Sequence, residues 1–402
     1  MSTLDQYEQE LLESLENDEW VSVDNLEDEK LKYRLFANIQ IQEQKLNSYH
    51  PETIFPPGDI LAEVLEERGM TQAELAIRLG YSKKAVNEVI QAKSALTPDF
   101  ALALERVFGT PAHVWNRVEQ LYREYLARVN EIENLEQHHL NWLEEIPYKA
   151  MIKNGWIKKF KEKTDQLIEV LNFFGVASPV EWANTWEKKL SFNFRKSDNG
   201  HEASVIAWLR QGEILASQVH CQPYDKQNFK ETLHQIRSLT RTEPDFYKDE
   251  LVRLCAQCGV AVVFVPELTN AKVSGVTHWL NPDKALIQLS LRYKKDDHFW
   301  FSFFHEAGHI LLHGKKEVFI EDEDCKTDKE TEADNFAEEL LIPKKIWNEI
   351  ADIFPYSAEI IETYAEELDI SPGIIVGRLQ KEGKLPWTHL NKLKKSCKWV
   401  EN

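Results

Sequence analysis

The spacing of hydrophobic positions divides the chain into a helical first part and a mixed second part. From Gly58 onward, apolar residues recur every three or four positions, which predicts helices over 58–68, 71–79, 82–91, 98–108 and 111–129. From Leu251 the pattern changes to short apolar runs at 259–265, 272–280 and 284–291, which are typical of β-strands. Helical spacing returns over 296–313, 328–341 and 344–382. The predicted fold class is therefore mainly α with a small β-sheet, that is, α+β.

Composition narrows the class of protein. A length of 402 residues is typical of two or three domains. The chain has five cysteines, and this odd, small number excludes a disulfide framework and favours a reducing compartment. No run approaches the roughly 18 apolar residues of a membrane-spanning helix, and the polar, acidic start does not match a secretory signal. We therefore expect a cytoplasmic protein without a membrane partner.

Charge is distributed unevenly along the chain. The net charge of −19 opposes broad coating of nucleic acid, so any contact with DNA must come from a local patch. Residues 1–29 carry eleven acidic side chains and no Lys or Arg, which indicates either a solvated tail or an arm that folds against a basic partner. At the other end, we expect a basic tail to be solvated or to pair with the acidic N-terminus of a partner chain; it comprises Lys392, Lys394, Lys395 and Lys398.

Residues 71–93 predict two helices joined by a tight turn. Thr71 and Glu74 form a capping box at the start of the first helix, and Gly80 suits the turn. Ser82 caps the second helix, whose apolar face anchors it in the core. The outward face of this second helix can reach base edges and phosphates in a major groove. The candidate DNA-binding residues are Gln72, Ser82, Lys83, Lys84, Asn87, Gln91 and Lys93.

This pattern resembles the five-helix XRE (lambda-repressor-like) domain, in particular that of HigA-type antitoxins. The resemblance covers about 55–125 and rests on PPGDILAEVLEERGMTQAELA and ALALERVFGTPAHVW. It implies operator DNA as a partner, bound by a homodimer because one recognition helix covers one half-site. Residues 58–108 carry eight acidic and six basic side chains, so a role in binding protein alone stays open.

A candidate metal-binding helix lies at 301–313, with the sequence FSFFHEAGHILLH. His305 and His309 are four residues apart and share one helix face, so both imidazoles can reach one metal ion. Glu306 lies beside them and can take a proton from a water molecule. His313, one turn farther on, is expected to cap the helix or to support the site from outside.

A catalytic zinc site needs a third protein ligand and one open position. The helix predicted at 328–341 begins with a capping box of Thr327 and Glu330 and also carries Glu332. Either Glu330 or Glu332 can supply the third ligand. A carboxylate on the helix that follows the two histidines is the gluzincin arrangement.

The HExxH motif and the downstream motif EAxxFAxxLLxP together resemble the ImmA/IrrE family of metallopeptidases, over about 200–345. The resemblance implies Zn²⁺ as cofactor, ligands at His305, His309 and Glu332, and a general base at Glu306. It favours Glu332 over Glu330 because Glu332 directly precedes Ala333, as in the family motif. Members cleave repressor or regulator proteins, which implies a specific protein as substrate.

These observations predict five segments: an acidic arm (1–50), an XRE-type helix-turn-helix domain (51–125), a helical connecting region (126–245), an ImmA/IrrE-like zinc peptidase core (246–345) and a C-terminal helical region (346–402). We expect a DNA-binding regulator with a zinc endopeptidase that cleaves a regulatory protein or a cognate toxin. Two alternatives stay open. One is an antitoxin whose peptidase-like domain is a non-catalytic scaffold and whose acidic arm neutralises a toxin. The other is a protease that docks substrate through its helix-turn-helix.

Overall fold

The computed structural model describes residues 54–187, 199–268, 271, 273–290, 294–315, 319–320 and 327–396. The chain forms two compact units, Met1–His138 and His139–Asn402, and each is treated by itself. The acidic arm predicted at 1–50 and Lys398 lie outside the described residues. The finer division into five segments stays a prediction.

The described part of the first unit is built from helices. They are α1 (Pro57–Glu67), α2 (Gln72–Leu79), α3 (Lys83–Ile90), α4 (Pro98–Phe108) and α5 (Ala112–His138). The first four agree with the sequence expectation to within one or two residues, whereas α5 continues beyond the predicted end at 129. Their apolar faces meet in one core around the fully buried Trp115 and Phe108.

Local signals fix the ends of these helices. Thr71 and Ser82 each accept a hydrogen bond from a backbone N–H three residues on, Glu74 at 3.2 Å and Ala85 at 3.1 Å. Gly80 follows α2 in the left-handed conformation, with φ of 74°, which a glycine adopts without steric cost. The turn between α2 and α3 is therefore set by sequence-local chemistry.

A glycine also permits a contact between helices that are farther apart in the chain. Gly58 lets α1 approach the end of α3, because a Cβ there would lie 2.3 Å from the carbonyl oxygen of Ile90.

The second unit begins with a helical region and continues into a mixed core. Its helices are α6 (Tyr148–Lys153), α7 (Lys163–Phe174), α8 (Pro179–Trp182), α9 (Asn199–Gln218), α10 (Lys226–Leu239), α11 (Pro244–Ala256), α12 (Asp296–Leu312), α13 (Asp328–Leu341), α14 (Lys344–Ala351), α15 (Ala358–Leu368) and α16 (Pro372–Lys381). Short non-α turns of helix lie at Leu140–Glu144, Ala183–Glu187 and Asn391–Leu393. Among the described residues of both units, no helix is long and apolar enough to cross a bilayer.

A small sheet lies in the second unit. Its strands are β1 (Val260–Phe264), β2 (Gly275–Asn281), β3 (Lys284–Leu289) and β4 (Phe319–Ile320), in the order β1-β3-β2-β4 within the described residues. β1 and β3 are parallel, with Val260 opposite Ala285, whereas β2 is antiparallel to both β3 and β4. The three longer strands match the predicted apolar runs, and the α+β class is confirmed.

The buried helix α12 and the partly exposed helix α13 position the candidate chemistry. Helix α12 lies across the sheet, and nearly all its residues from Asp296 to Leu311 are buried. Helix α13 packs against α12 where the latter carries Gly308. A Cβ at Gly308 would lie 3.1 Å from Phe336 and 3.3 Å from the Cα of Ala333, so the small residue permits the close approach. The two helices therefore meet beside the HExxH segment.

Residues Lys394 and Lys395 of the C-terminal segment contact the start of α12. The sequence predicted instead a basic tail that is solvated or pairs with a partner chain, and Lys392 is indeed exposed. Lys394 lies 2.6 Å from the Asp297 carboxylate, and both side chains are less than 8% exposed. Gln380 also accepts a hydrogen bond from Lys394, and the N–H of Asp296 donates to the carbonyl of Lys395. The Lys394 charge is thus buried in an ion pair with Asp297, one of the two buried acids at the start of α12.

Replacing Lys394 tests this contact. Lys394→Met leaves Asp297 charged, buried and without its cation, and we expect unfolding free energy to fall by about 3–5 kcal/mol. Urea denaturation measures the change, with the exposed Lys384→Met as the matched control. A loss below about 1 kcal/mol, the value usual for exposed ion pairs, would contradict the structural role of the pair.

Candidate metal centre and nucleic-acid interface

Helix α12 presents two histidines on one face. Acidic residues in the first turn, Asp296 and Asp297, favour the helix start through the helix dipole, and the helix ends at His313, whose backbone is extended. His305 and His309 are both 2% exposed, and their ring centroids lie 4.7 Å apart. The four-residue spacing therefore brings both rings to the same point, as the sequence predicted.

Glu330 of α13 completes a three-residue cluster. Its Oε2 lies 2.9 Å from Nε2 of His305 and 3.4 Å from Nε2 of His309, and the two Nε2 atoms lie 3.0 Å apart. Ligand atoms about 2.0–2.1 Å from a tetrahedral zinc ion lie about 3.3 Å from one another. Among the described residues, this is the group of His, Cys, Asp and Glu side chains with the spacing of a metal site.

The hydrogen-bond partners of His305 also leave room for a cation at its Nε2. Nδ1 of His305 lies 2.9 Å from the Asp334 carboxylate, which can only accept, so Nδ1 carries the proton. A neutral His305 ring then directs a lone pair from Nε2 toward the Glu330 oxygen, which is also an acceptor. A metal ion between them satisfies all three ligand atoms, and the donor set of two imidazoles and one carboxylate suits zinc. The residues present therefore fit the metal.

Electrostatics favour the ligand forms of these side chains. Burial lowers the pKa of His309, which keeps the ring neutral. Burial alone would raise the pKa of Glu330, but its close contacts with the His305 and His309 rings lower it to about 2. Asp334 is affected in the same way, with burial opposed by the hydrogen bond from His305, and its pKa is lowered. These shifts favour a neutral His309 ring beside ionised Glu330 and Asp334 carboxylates.

Glu332, the ligand favoured from the sequence, lies elsewhere. Its Oε2 is 3.1 Å from Nε2 of His313, and its side chain is 62% exposed. Residues 330, 333, 334 and 337 share the face of α13 that packs on α12, whereas residue 332 projects to the side. The structure thus brings the alternative carboxylate, Glu330, to the histidines. Helix periodicity groups Glu330 with Ala333 and Ala337 on one face, but it does not specify what that face contacts.

Glu306 packs against strand β2. The residue is fully buried, and its carbonyl oxygen accepts a hydrogen bond from the Thr277 hydroxyl at 3.1 Å. A Cβ at Gly275 would lie 2.5 Å from Glu306 Oε1, so the carboxylate occupies space that the glycine leaves open. The strand therefore holds in place Glu306, the residue that directly follows His305 and that the sequence predicts as a general base.

The seven candidate DNA-binding residues lie at the start of α2, on α3 and in the turn that follows. Gln72 and Asn87 are half-buried, and the Asn87 amide donates to the Gln72 side-chain oxygen at 3.2 Å. The Ser82 hydroxyl caps α3, and Lys84 lies 3.7 Å from Glu88. The exposed members of the set are Ser82, Lys83, Lys84, Gln91 and Lys93. The structure thus presents three lysines around one polar pair.

Comparisons with known families match both units. Residues 61–115 match a helix-turn-helix family model, and residues 255–380 match the IrrE N-terminal-like domain of peptidase family M78. The chain joins a helix-turn-helix domain to an IrrE-like domain. The IrrE-like match contains His305, Glu306, His309, Glu330 and Glu332, and the helix-turn-helix match contains all seven candidate DNA-binding residues.

Two individual relatives each match a short part of this chain. Virulence-associated protein I of Dichelobacter nodosus is 36% identical over 67 residues, which is 16% of this chain and 62% of that protein. An uncharacterized HTH-type transcriptional regulator, YddM of Escherichia coli K12, is 29% identical over 66 residues, 16% of this chain and 70% of its own length. This chain thus spans less than two thirds of the Dichelobacter protein.

Two solved antitoxin structures are also similar to this chain. A HigA-family addiction module antidote protein from Coxiella burnetii is 27% identical, with 22% of this chain and 96% of that chain covered and a TM-score of 0.20. Pseudomonas aeruginosa antitoxin HigA, solved with the higBA promoter, is 29% identical, with 21% and 95% covered and a TM-score of 0.20.

A methyl group at Gly275 tests the position of Glu306. Gly275→Ala forces the Glu306 carboxylate or strand β2 to move, and we expect unfolding free energy to fall by about 1–3 kcal/mol, as in overpacked cores. Chemical denaturation measures the change. The neighbouring Ser274→Ala serves as control, and equal stability of the two variants would show that Glu306 does not fill this space.

Proposed function

We propose that the chain is a DNA-binding regulator whose IrrE-like domain is a zinc-dependent endopeptidase acting on a protein. The observation that carries the enzymatic part is the convergence of three ligand atoms, from His305, His309 and Glu330. The fully buried Glu306 directly follows the ligand His305 in the chain. A site with three protein ligands retains an open position, as catalytic zinc sites require and structural ones do not. The IrrE N-terminal-like match supports this class of chemistry.

The residues around the site have distinct roles in peptide hydrolysis. When bound, zinc supplies a Lewis acid that polarises a carbonyl oxygen and lowers the pKa of a water molecule. Glu306 accepts the proton of that water on a carboxylate oxygen and returns it to the nitrogen of the leaving amine. Asp334 holds Nδ1–H of His305, so the ring keeps Nε2 directed at the ligand position. Gly275 and Thr277 keep Glu306 in place.

The substrate we propose is a regulatory protein or a cognate toxin. The same chain contains a helix-turn-helix domain, which indicates that the IrrE-like domain acts in gene regulation. A regulatory role favours one specific protein substrate over general protein degradation. The proposed DNA contacts come from Lys83, Lys84 and Lys93 on phosphates and from the Gln72–Asn87 pair at base edges. A homodimer on a two-fold operator is the corresponding arrangement.

Metal content is the first test of the enzymatic proposal. Protein purified without chelators is expected to hold one zinc per chain, and His305→Ala and Glu330→Ala are each expected to abolish it. Glu306→Gln should retain zinc but lower the rate of peptide cleavage by about 10²–10⁴-fold, because the general base is lost. Mass spectrometry of zinc and of a proteome-derived peptide library measures both.

The exposed Glu349→Ala provides the matched control, with unchanged zinc and turnover. Absence of stoichiometric zinc in the wild type would overturn the peptidase proposal. One zinc per chain without cleavage of any peptide or protein offered would favour the alternative of an antitoxin with a non-catalytic scaffold.

DNA binding has its own test. On a duplex selected from a random pool, Lys83→Ala, Lys84→Ala or Lys93→Ala should each reduce the salt slope of log K by about one, because one phosphate contact is lost. Asn87→Ala should instead relax sequence preference, by about 1–3 kcal/mol at one base pair. Fluorescence anisotropy at several salt concentrations measures both effects, with the exposed Lys345→Ala as control. Salt slopes equal to wild type in all three lysine variants would exclude this face as the DNA interface.

A further inference from the structure

His309 has a neighbour that the proposed ligand set does not use. Its Nδ1 lies 2.9 Å from Nδ1 of His313, and Nε2 of His313 lies 3.1 Å from Oε2 of Glu332. The His313 side chain is only 4% exposed, although the residue caps the end of α12, whereas Glu332 is 62% exposed. A continuous row of polar contacts therefore runs from the buried ligand to the surface.

We propose that His313 and Glu332 are positioning residues that orient His309 for the metal. This inference rests on the proposed zinc site and deepens it. It also gives Glu332, which the sequence favoured as a ligand, a different role at the end of the row.

If the rings of His309 and His313 are both neutral, one placement of their protons gives each hydrogen-bond donor an acceptor. If Nε2 of His309 holds the metal, Nδ1 of His309 carries the proton and donates it to Nδ1 of His313. Nδ1 of His313 then has no hydrogen, so the proton of that ring lies on Nε2. That Nε2–H points at Glu332, which can accept it. Each donor thus faces an acceptor, and every ring is fixed in one tautomer.

The other proposed histidine ligand, His305, is also oriented by a carboxylate. His305 has a carboxylate, Asp334, directly on its Nδ1 at 2.9 Å. His309 lies one turn farther along α12, and its carboxylate acts through His313. Carboxylates placed behind ligating histidines orient the rings and raise their basicity, and removing such a partner usually weakens metal binding by about 10–100-fold.

Phe319 of strand β4 covers this row. Its ring stacks on His309, with centroids 4.2 Å apart and planes 14° apart, and lies 5.1 Å from the ring of His313. Phe319 is 8% exposed and is held in register by pairing of β4 with β2, opposite Thr277. The Phe319 ring covers both imidazoles and limits the access of water to them. Water therefore competes little for the His309–His313 hydrogen bond.

Zinc affinity separates a positioning role from a ligand role. Full-length protein is titrated with zinc against a chromogenic chelator, for wild type, His313→Phe, Glu332→Ala, Glu332→Gln and Glu349→Ala. We expect His313→Phe and Glu332→Ala to bind one zinc per chain at saturation, with Kd raised about 10–100-fold. Glu332→Gln should stay close to wild type, because the amide oxygen still accepts from Nε2–H, and Glu349→Ala should match wild type.

The histidine tautomers provide a readout that a merely structural contact would not move. In ¹⁵N spectra of the zinc-loaded wild type, His313 is expected to carry its proton on Nε2, and this preference should weaken in Glu332→Ala. Thermal denaturation of each variant shows whether it folds. A misfolded His313→Phe leaves Glu332→Ala and the wild-type spectrum to decide.

The outcomes are distinct. A Glu332→Ala variant that folds but binds no zinc at any concentration would make Glu332 a ligand and overturn the inference. Affinities within about threefold of wild type in both variants, or a proton on Nδ1 of His313, would overturn it while leaving the zinc site intact. A wild type that binds no zinc would overturn the proposed function and this inference together.

Discussion

The close approach of helices α12 and α13 is the constraint on which the candidate metal centre depends. Gly308 lies within the HExxH segment, and its missing side chain lets Ala333 and Phe336 reach the backbone of α12. At this separation Glu330 touches both histidines, and Asp334 reaches the far nitrogen of His305. Because cores are close-packed, a larger residue at the contact would displace the carboxylates from the rings.

Helix α12 is also held at its two ends by segments that follow it in the chain. At its start, Lys394 neutralises Asp297, and the backbone of Lys395 accepts from Asp296. At its end, Phe319 stacks on His309, and β4 pairs with β2. Since the ligand nitrogens must stay within a few tenths of an ångström of their positions to hold a metal, fixation at both ends is consistent with a preorganised site.

The two units differ in how they present functional side chains. In the helix-turn-helix domain, the polar face is arranged by local signals, namely the Thr71 and Ser82 caps and the Gly80 turn, over about twenty residues. In the IrrE-like domain, Glu306 is buried against a strand some thirty residues earlier in sequence. The three candidate metal ligands come from two helices, α12 and α13. An exposed polar face can be built from one short segment, whereas a buried cluster of polar side chains needs several elements around it.

The sequence by itself determined the helix-turn-helix, the order of strands and helices, and the pair His305 and His309, because caps, periodicity and four-residue spacing act within a few turns of chain. It left the third carboxylate open, and motif position favoured Glu332 where the structure brings Glu330 to the rings. It also described Lys394 as part of a tail that is solvated or pairs with a partner chain, whereas the lysine is buried against Asp297, 97 residues away. Only the tertiary structure decided these points. The contacts of a side chain across a helix interface depend on the rotation and separation of two helices, which no local pattern specifies.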